Sequence, residues 1–290
     1  YRVRQIEDAL DVLLFDRSSR QARLTEAGHE LLREGGLERH AVSNAEIKSI
    51  EPSLTGDYYG GFYCPGDATG DIHKFSSGLA AVTEKLGVTY RFGMEASSVQ
   101  LDEKGVRILL KPSEENMDKL VDTVEMLNAD AIVVCGGVGS YQLAEMLGDR
   151  VNIYPVKGYS ITVELKDDAS QAHAPWVSLL DESAKIVTSR LGAGRLRVAG
   201  TAEFNGYNRD IRSDRIQPLT DWVNKNFELS TEFVVPWAGL RPMMPDMMPR
   251  VDRGKRERVF YNTGHGHLGW TLSAATAAMI SQQVAQSHPV

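Results

Sequence analysis

The chain has 290 residues, 42% hydrophobic and 24% charged, with a formal net charge of −7. That length is enough for one large or two ordinary domain cores, and the acidic balance argues against nucleic-acid binding by bulk electrostatics. No run of about 18 apolar residues is present, so no membrane-spanning helix is expected, and no charged-then-apolar signal segment opens the chain. Two cysteines, Cys64 and Cys135, form no CxxC pair and read as reduced thiols of a cytoplasmic protein.

Residues 2–15 carry apolar side chains near helical spacing. Thr25 is a candidate N-cap for a second helical stretch that ends at Gly35-Gly36. Ser43 and Glu46 have the spacing of a capping box, and Pro52 stops the short helix that they open. Residues 57–72 are rich in Gly, Pro and Asp and predict loop with a short strand. Residues 73–86 predict a helix with Phe75, Leu79, Val82 and Leu86 on one face. Strands follow at 88–92, 96–101 and 106–110, then a polar loop at 114–119. Residues 129–135 predict a buried strand, followed by a glycine turn and a helix from Ser140 to Leu147. From Tyr154 to Phe204 closely spaced β-runs, with turns at 181–185 and 191–195, predict an antiparallel sheet. A helix is expected at 215–227, a strand at 259–262 and a terminal helix at 270–285.

Four motifs carry chemistry. In VFYNTGHGHLGWT (259–271) a strand runs through a glycine turn into a helix. Such a turn lets backbone approach a ligand, and the helix N-terminus offers free N–H groups. Gly264, Gly266 and Gly269 fit GxGxxG, but no βαβ unit follows, so a dinucleotide fingerprint is rejected. His265 and His267 lack further ligands nearby, so no metal site is expected. DAIVVCGGVGS (130–140) repeats the strand, glycine turn and helix, consistent with either ligand contact or packing. In WAGLRP (237–242) Arg241 is a rigidly held cation, fit for a carboxylate or for a surface ion pair. The tyrosines at 58, 59, 63, 154 and 159 and Phe62 are either pocket walls or core. No GxSxG, HExxH or P-loop occurs, and this poverty suits a reaction in which a cofactor carries the hard chemistry.

From about residue 31 onward the chain resembles the D-amino-acid dehydrogenase small-subunit family, within the wider D-amino-acid oxidase-like flavoproteins. The likeness rests on GGFYCPGDATGDIHKF (60–75), LGVTYRFGMEASSVQL (86–101), ADAIVVCGGVGS (129–140), YPVKGYSITV (154–163), RLRVAGTAEF (195–204), WAGLRPMMPD (237–246) and FYNTGHGHLGWTLS (260–273). The resemblance implies FAD as cofactor, held at Gly136 and Gly137, near Val99 at its adenosine end, and at Gly264, Gly266, His267, Leu268, Gly269, Trp270 and Thr271 near the flavin ring. It implies that Arg241 holds the substrate carboxylate. Tyr159 is a further candidate catalytic residue, and Tyr58, Tyr59 and His265 are candidate pocket walls, on residue type and position alone. It further implies hydride transfer from the Cα of a D-amino acid to the flavin, giving a 2-oxo acid and ammonia, with electrons passing to a quinone-linked acceptor. A peripheral place at the inner face of a bacterial membrane is the corresponding expectation.

The expected fold is α/β: an FAD-binding-type mixed sheet, incomplete because no N-terminal βαβ unit with GxGxxG is found, interleaved with an antiparallel substrate-binding sheet. The expected division is a helical remnant at 1–34 and an oxidoreductase region at 35–290. Within that region, 154–240 forms the substrate sheet, while 86–150 and 255–290 contact FAD. Residues 2–33 resemble part of the winged helix-turn-helix of LysR-type regulators, without the excess of positive charge that phosphate contacts need. Two alternatives to the oxidative deaminase follow: a truncated homologue without autonomous FAD binding, and a winged-helix regulator fused to a ligand-binding domain.

Overall fold

The computed structural model describes residues 15–16, 23–26, 38–103, 105–113 and 124–287. Nearly all of the first expected helix, the body of the helix after Thr25 and the loop at 114–119 lie outside these residues. Strands β1 (Phe15–Asp16) and β2 (Arg23–Leu24) pair antiparallel, as do β3 (His40–Val42) and β4 (Gly61–Tyr63). Between the latter two lies helix α1 (Asn44–Ile50), whose capping box forms as the spacing predicts. The Ser43 N–H donates to the Glu46 carboxylate at 2.7 Å, and the Glu46 N–H returns to the Ser43 hydroxyl at 3.4 Å.

Helix α2 (Ile72–Lys85) starts at Asp71, whose carboxylate accepts the N–H groups of His73 and Lys74, each at 3.1 Å. Its predicted apolar face forms but is not covered: Phe75, Leu79, Val82 and Leu86 are 52%, 50%, 55% and 78% exposed. The strand expected at 88–92 is absent. The Val88 N–H bonds back to the Thr83 carbonyl at 3.0 Å, the Tyr90 and Phe92 rings stack, and glycines with positive φ, Gly87 and Gly93, bracket the segment. Its β-type residues therefore serve a loop.

Strands β5 (Met94–Asp102), β6 (Gly105–Pro112) and β7 (Glu125–Ala129) form an antiparallel sheet. The expected strand at 129–135 is divided: Ala129 ends β7, the chain bends at Asp130, and β8 (Ile132–Val134) joins a different sheet. A 3-10 turn (Gly137–Gly139) leads into α3 (Ser140–Met146).

The largest sheet contains β9 (Tyr154–Glu164), β10 (Leu180–Asp181), β11 (Ile186–Arg190), β12 (Arg195–Glu203) and β13 (Val234–Met243), in the order β10-β11-β12-β9-β13 and antiparallel throughout. Helix α4 (Asp168–His173) follows β9, and α5 (Ser213–Asn226) precedes β13. The last elements are β14 (Arg250–Arg253), β15 (Val259–Thr263) and α6 (Gly269–Ser287). A mixed sheet runs β14-β15-β8, with β15 and β8 parallel.

Two cores result. One lies between the five-stranded sheet and α5, where Tyr159, Ile161, Val163, Leu196 and Val198 meet Leu219 and Val223. The other gathers Val99 and Val106 with Val134, Ala144, Leu147, Val259 and Tyr261. Each fully buried Val or Leu contributes about 1.5–3 kcal/mol through removal of apolar area from water.

Candidate functional site

Strand alternation sends successive side chains to opposite faces. On β9, Tyr159, Ile161 and Val163 enter the α5 core, so Val156, Gly158, Ser160 and Thr162 face the other way. The register sets Arg241 opposite Val156, Gly239 opposite Gly158 and Trp237 opposite Ser160. On the other side of β9, Arg197 stands opposite Thr162 and Ala199 opposite Ser160. Arg197, Trp237 and Arg241 thus share the face that α5 does not cover.

Two glycines make that face possible. A Cβ on Gly158 would collide with the guanidinium of Arg241, and one on Gly239 with the indole of Trp237. The long side chains therefore lie down over bare backbone. Arg241 Nη1 donates to the Thr201 carbonyl at 2.9 Å. Thr201 has φ 65°, left-handed for a threonine, within the irregularity of β12 between Gly200 and Glu203. A bulge of this kind re-aims backbone groups, here toward the arginine. Burial pushes the pKa of Arg241 down, and the charge of Arg197 pushes it further; burial likewise lowers Arg197. Both guanidiniums stay charged. Among the described residues neither forms an ion pair with a carboxylate.

The glycine turn at 264–268 docks on the same strand. The Gly266 N–H donates to the Pro242 carbonyl at 3.0 Å, and His265 bridges Met243. Gly264 and Gly266 have φ of 79° and 59°, and a Cβ on either would press on Met244 or Met243. The Leu268 N–H closes the turn on the His265 carbonyl at 3.0 Å, and α6 begins at the next residue, Gly269. The first-turn N–H groups of a helix have no intrahelical acceptor. The second turn is tied to the first by the Ser140 and Thr263 hydroxyls, 2.7 Å apart and buried. Around Gly137 and Gly139 a Cβ would meet nothing within 4 Å, so this backbone borders open space.

The structure thus brings Gly136, Gly137, Gly264, Gly266, His267, Leu268, Gly269, Trp270 and Thr271 into one neighbourhood, adjoining the strand of Arg241. His267, Leu268 and Trp270 are exposed. Trp270 also meets the Phe75 ring edge to face at 5.2 Å. Val99 is a buried core side chain, so only its backbone could border a ligand.

The three tyrosines stand apart from Arg241. Tyr159 lies on the core face, opposite to Arg241, and its hydroxyl donates to Glu203 at 2.7 Å. Burial raises its pKa. It is part of a network with the fully buried Lys157, whose ammonium reaches Glu203 at 3.6 Å and Asn208 at 2.9 Å. Tyr58 packs on the same core, its hydroxyl donating to Asn226 at 2.8 Å, while Tyr59 is wholly exposed. None of the three walls a pocket with Arg241. His265 is held at Thr276, 3.1 Å away, and burial lowers its pKa. Sequence reading missed Arg197, although RLRV places an arginine between two core positions of a strand.

A family model for FAD dependent oxidoreductases matches residues 9–283. The matched span takes in most of the stretch that resembles a LysR-type segment, and that resemblance gains no support. A D-amino acid dehydrogenase of Mesorhizobium japonicum, numbered 3, is 56% identical over 263 residues, or 90% of this chain and 62% of the relative. A D-amino acid dehydrogenase of Dechloromonas aromatica is 37% identical, covering 89% of this chain and 61% of that one. The chain therefore spans about three fifths of the length of these relatives. Among solved structures, glycine oxidase from Geobacillus kaustophilus superposes with a TM-score of 0.75 at 19% identity, over 92% of this chain and 70% of its own. L-Proline dehydrogenase from P. horikoshii gives 0.73 at 14% identity, over 89% and 67%. At these identities the likeness is one of fold.

Proposed function

The chain belongs to the FAD dependent oxidoreductase family, and from that premise we propose that it forms the substrate-binding and flavin-facing part of a D-amino-acid dehydrogenase. The observation that carries this reading is Arg241: a desolvated guanidinium on a glycine floor, without a carboxylate partner among the described residues, on the strand to which the 264–268 turn is bonded. Such a group accepts a carboxylate through two parallel N–H bonds. The Thr201 carbonyl takes one N–H of Nη1 and so limits rotation of the fork.

The residues present fit FAD. Open space beside Gly137 and Gly139 lets backbone approach it, and exposed Leu268 and Trp270 offer apolar surface. The first turn of α6 presents N–H groups and a positive dipole end to negative charge. When bound, FAD supplies the two-electron acceptor for oxidation at the substrate Cα. The chain's own part is to hold the substrate carboxylate at Arg241 and to keep His265 neutral by burial beside that position. The D preference and an acceptor other than oxygen rest on the names of the relatives, which are dehydrogenases. A quinone acceptor places the protein at the inner face of a bacterial membrane as a peripheral protein. Among the described residues no helix is long and apolar enough to cross a membrane.

The test is FAD titration of the purified chain, followed by dye-coupled assays with D- and L-amino acids. Saturable binding with a flavin spectrum and dye reduction by D-amino acids is expected. No binding up to about millimolar FAD, a free energy of only about −4 kcal/mol, overturns the reading for this chain.

A further inference from the structure

The five-stranded sheet satisfies its other buried cations internally. Arg190 is on the α5 face, opposite Leu196. It donates to the carbonyls of Gly192, Ala174 and Ala193 at 2.9, 3.0 and 2.9 Å. Lys157 has Glu203 and Asn208. On the opposite face the pattern is reversed. Arg241 has a single carbonyl, Thr201, and Arg197 has an indole, its guanidinium carbon over the Trp237 ring at 5.7 Å from the centroid. Two partly buried like charges on one sheet face, with no carboxylate between them, are unfavourable unless anions arrive. Arg195, next on the same face of β12, is already paired with Asp71 at 2.8 Å. Among the described residues of this face, the unmatched charge is thus confined to Arg197 and Arg241.

We infer that Arg197 is a second anion contact of the Arg241 site, and that the substrate is a D-amino acid bearing a carboxylate in its side chain. Arg241, beside the 264–268 turn, takes the α-carboxylate, which leaves Cα toward the flavin-facing turns. Arg197, further along the face, takes the side-chain carboxylate. The exposed indole of Trp237, seated over Gly239 between them, lies under the intervening methylenes. A single carboxylate shared by both arginines leaves one positive charge unmatched in a partly desolvated site; two carboxylates match both. This inference rests on the role given to Arg241 above.

The experiment compares wild type, Arg197→Gln, Arg197→Lys and Arg241→Gln in the FAD-loaded protein. kcat/KM is measured for D-glutamate, D-aspartate and D-alanine. Binding of glutarate and butyrate, which have no amine to oxidise, is measured beside it by titration calorimetry. Wild type is expected to prefer an acidic D-amino acid and to bind glutarate more tightly than butyrate. Arg197→Gln should lower the ratio of acidic to neutral kcat/KM by about 100-fold and remove the glutarate advantage. Arg197→Lys should retain part of both, and Arg241→Gln should lower kcat/KM for all three substrates. Oxidation of D-alanine and binding of butyrate that depend on Arg241, with no acidic preference or with equal losses for all substrates in Arg197→Gln, overturn this inference alone. If neither acid binds and no D-amino acid is oxidised, the reading of Arg241 falls with it.

Discussion

Gly158 shows how much of this site depends on an atom that is missing. Arg241 keeps its guanidinium over β9 because the residue beneath has no side chain. Gly158→Ala puts a methyl group where the guanidinium lies. The guanidinium is the far end of a flexible side chain, so it moves and the strand stays. The expected result is an unchanged circular dichroism spectrum and a small change in Tm, with kcat/KM for D-amino acids lowered by about 100-fold, the size of effect that a misplaced binding group produces. An active Gly158→Ala protein with wild-type KM would show that Arg241 does not need its floor. The same alternation sends Tyr159 to the face away from Arg241. A strand buried on both faces reads as one apolar run, and the residues YPVKGYSITV do not reveal which of Gly158 and Tyr159 faces the ligand.

At the scale of elements, one local device holds the turns beside the site together, and another stabilises the core on the opposite face of the sheet. The first is the hydroxyl pair Ser140–Thr263, which holds the two glycine turns together from the end of β15 and the start of α3. Thr263→Val keeps the shape and removes the partner of a buried hydroxyl, at a cost of about 1–3 kcal/mol. A lower Tm and weaker FAD binding are expected together; a lower Tm with unaltered FAD affinity would separate the turns from the cofactor. The second device is the turn between β10 and β11. Burial favours the neutral form of Asp181, but the N–H groups of Ala184 and Ser183, the Ser183 hydroxyl and the Trp222 indole N–H outweigh it and hold the carboxyl at about 2. The folded value is below the unfolded one, about 3.9. Asp181 therefore stabilises the fold fully above about pH 4 and loses that contribution as pH falls toward about 2. In urea unfolding, the stability difference between wild type and Asp181→Asn should be constant from neutral pH down to about 5 and shrink below about 4. A difference that stays constant to the lowest pH at which the protein folds would contradict this.

At the scale of the whole molecule, the elements divide into two faces around the site: an antiparallel sheet that carries the cations, and strand-turn-helix units that carry exposed backbone. The glycine turns were legible because their chemistry is local. Gly264 and Gly266, between a β-run and a helical run, report positive φ and close backbone approach without any knowledge of the fold. The division of 129–135 between two sheets was not legible. A bend at Asp130 costs nothing that the apolar pattern records, and strand pairing is decided by residues far away in the chain.

The mixed α/β class, the helices at α1, α2, α5 and α6 to within a few residues, the antiparallel run through β9–β12, the FAD-dependent family and Arg241 as the candidate carboxylate contact are legible in the order of the amino acids. These rest on short-range periodicity, capping and turn chemistry, or on motifs in a fixed order. Which side chains stand with Arg241 is settled by the fold. It removed Tyr58, Tyr59 and Tyr159 to the core or to open surface, and it brought Arg197 from 44 positions away onto the same face. The physical reason is register: a strand's side chains alternate every residue, and which parity faces the ligand is fixed by the neighbouring strands and by the helix that covers the other side.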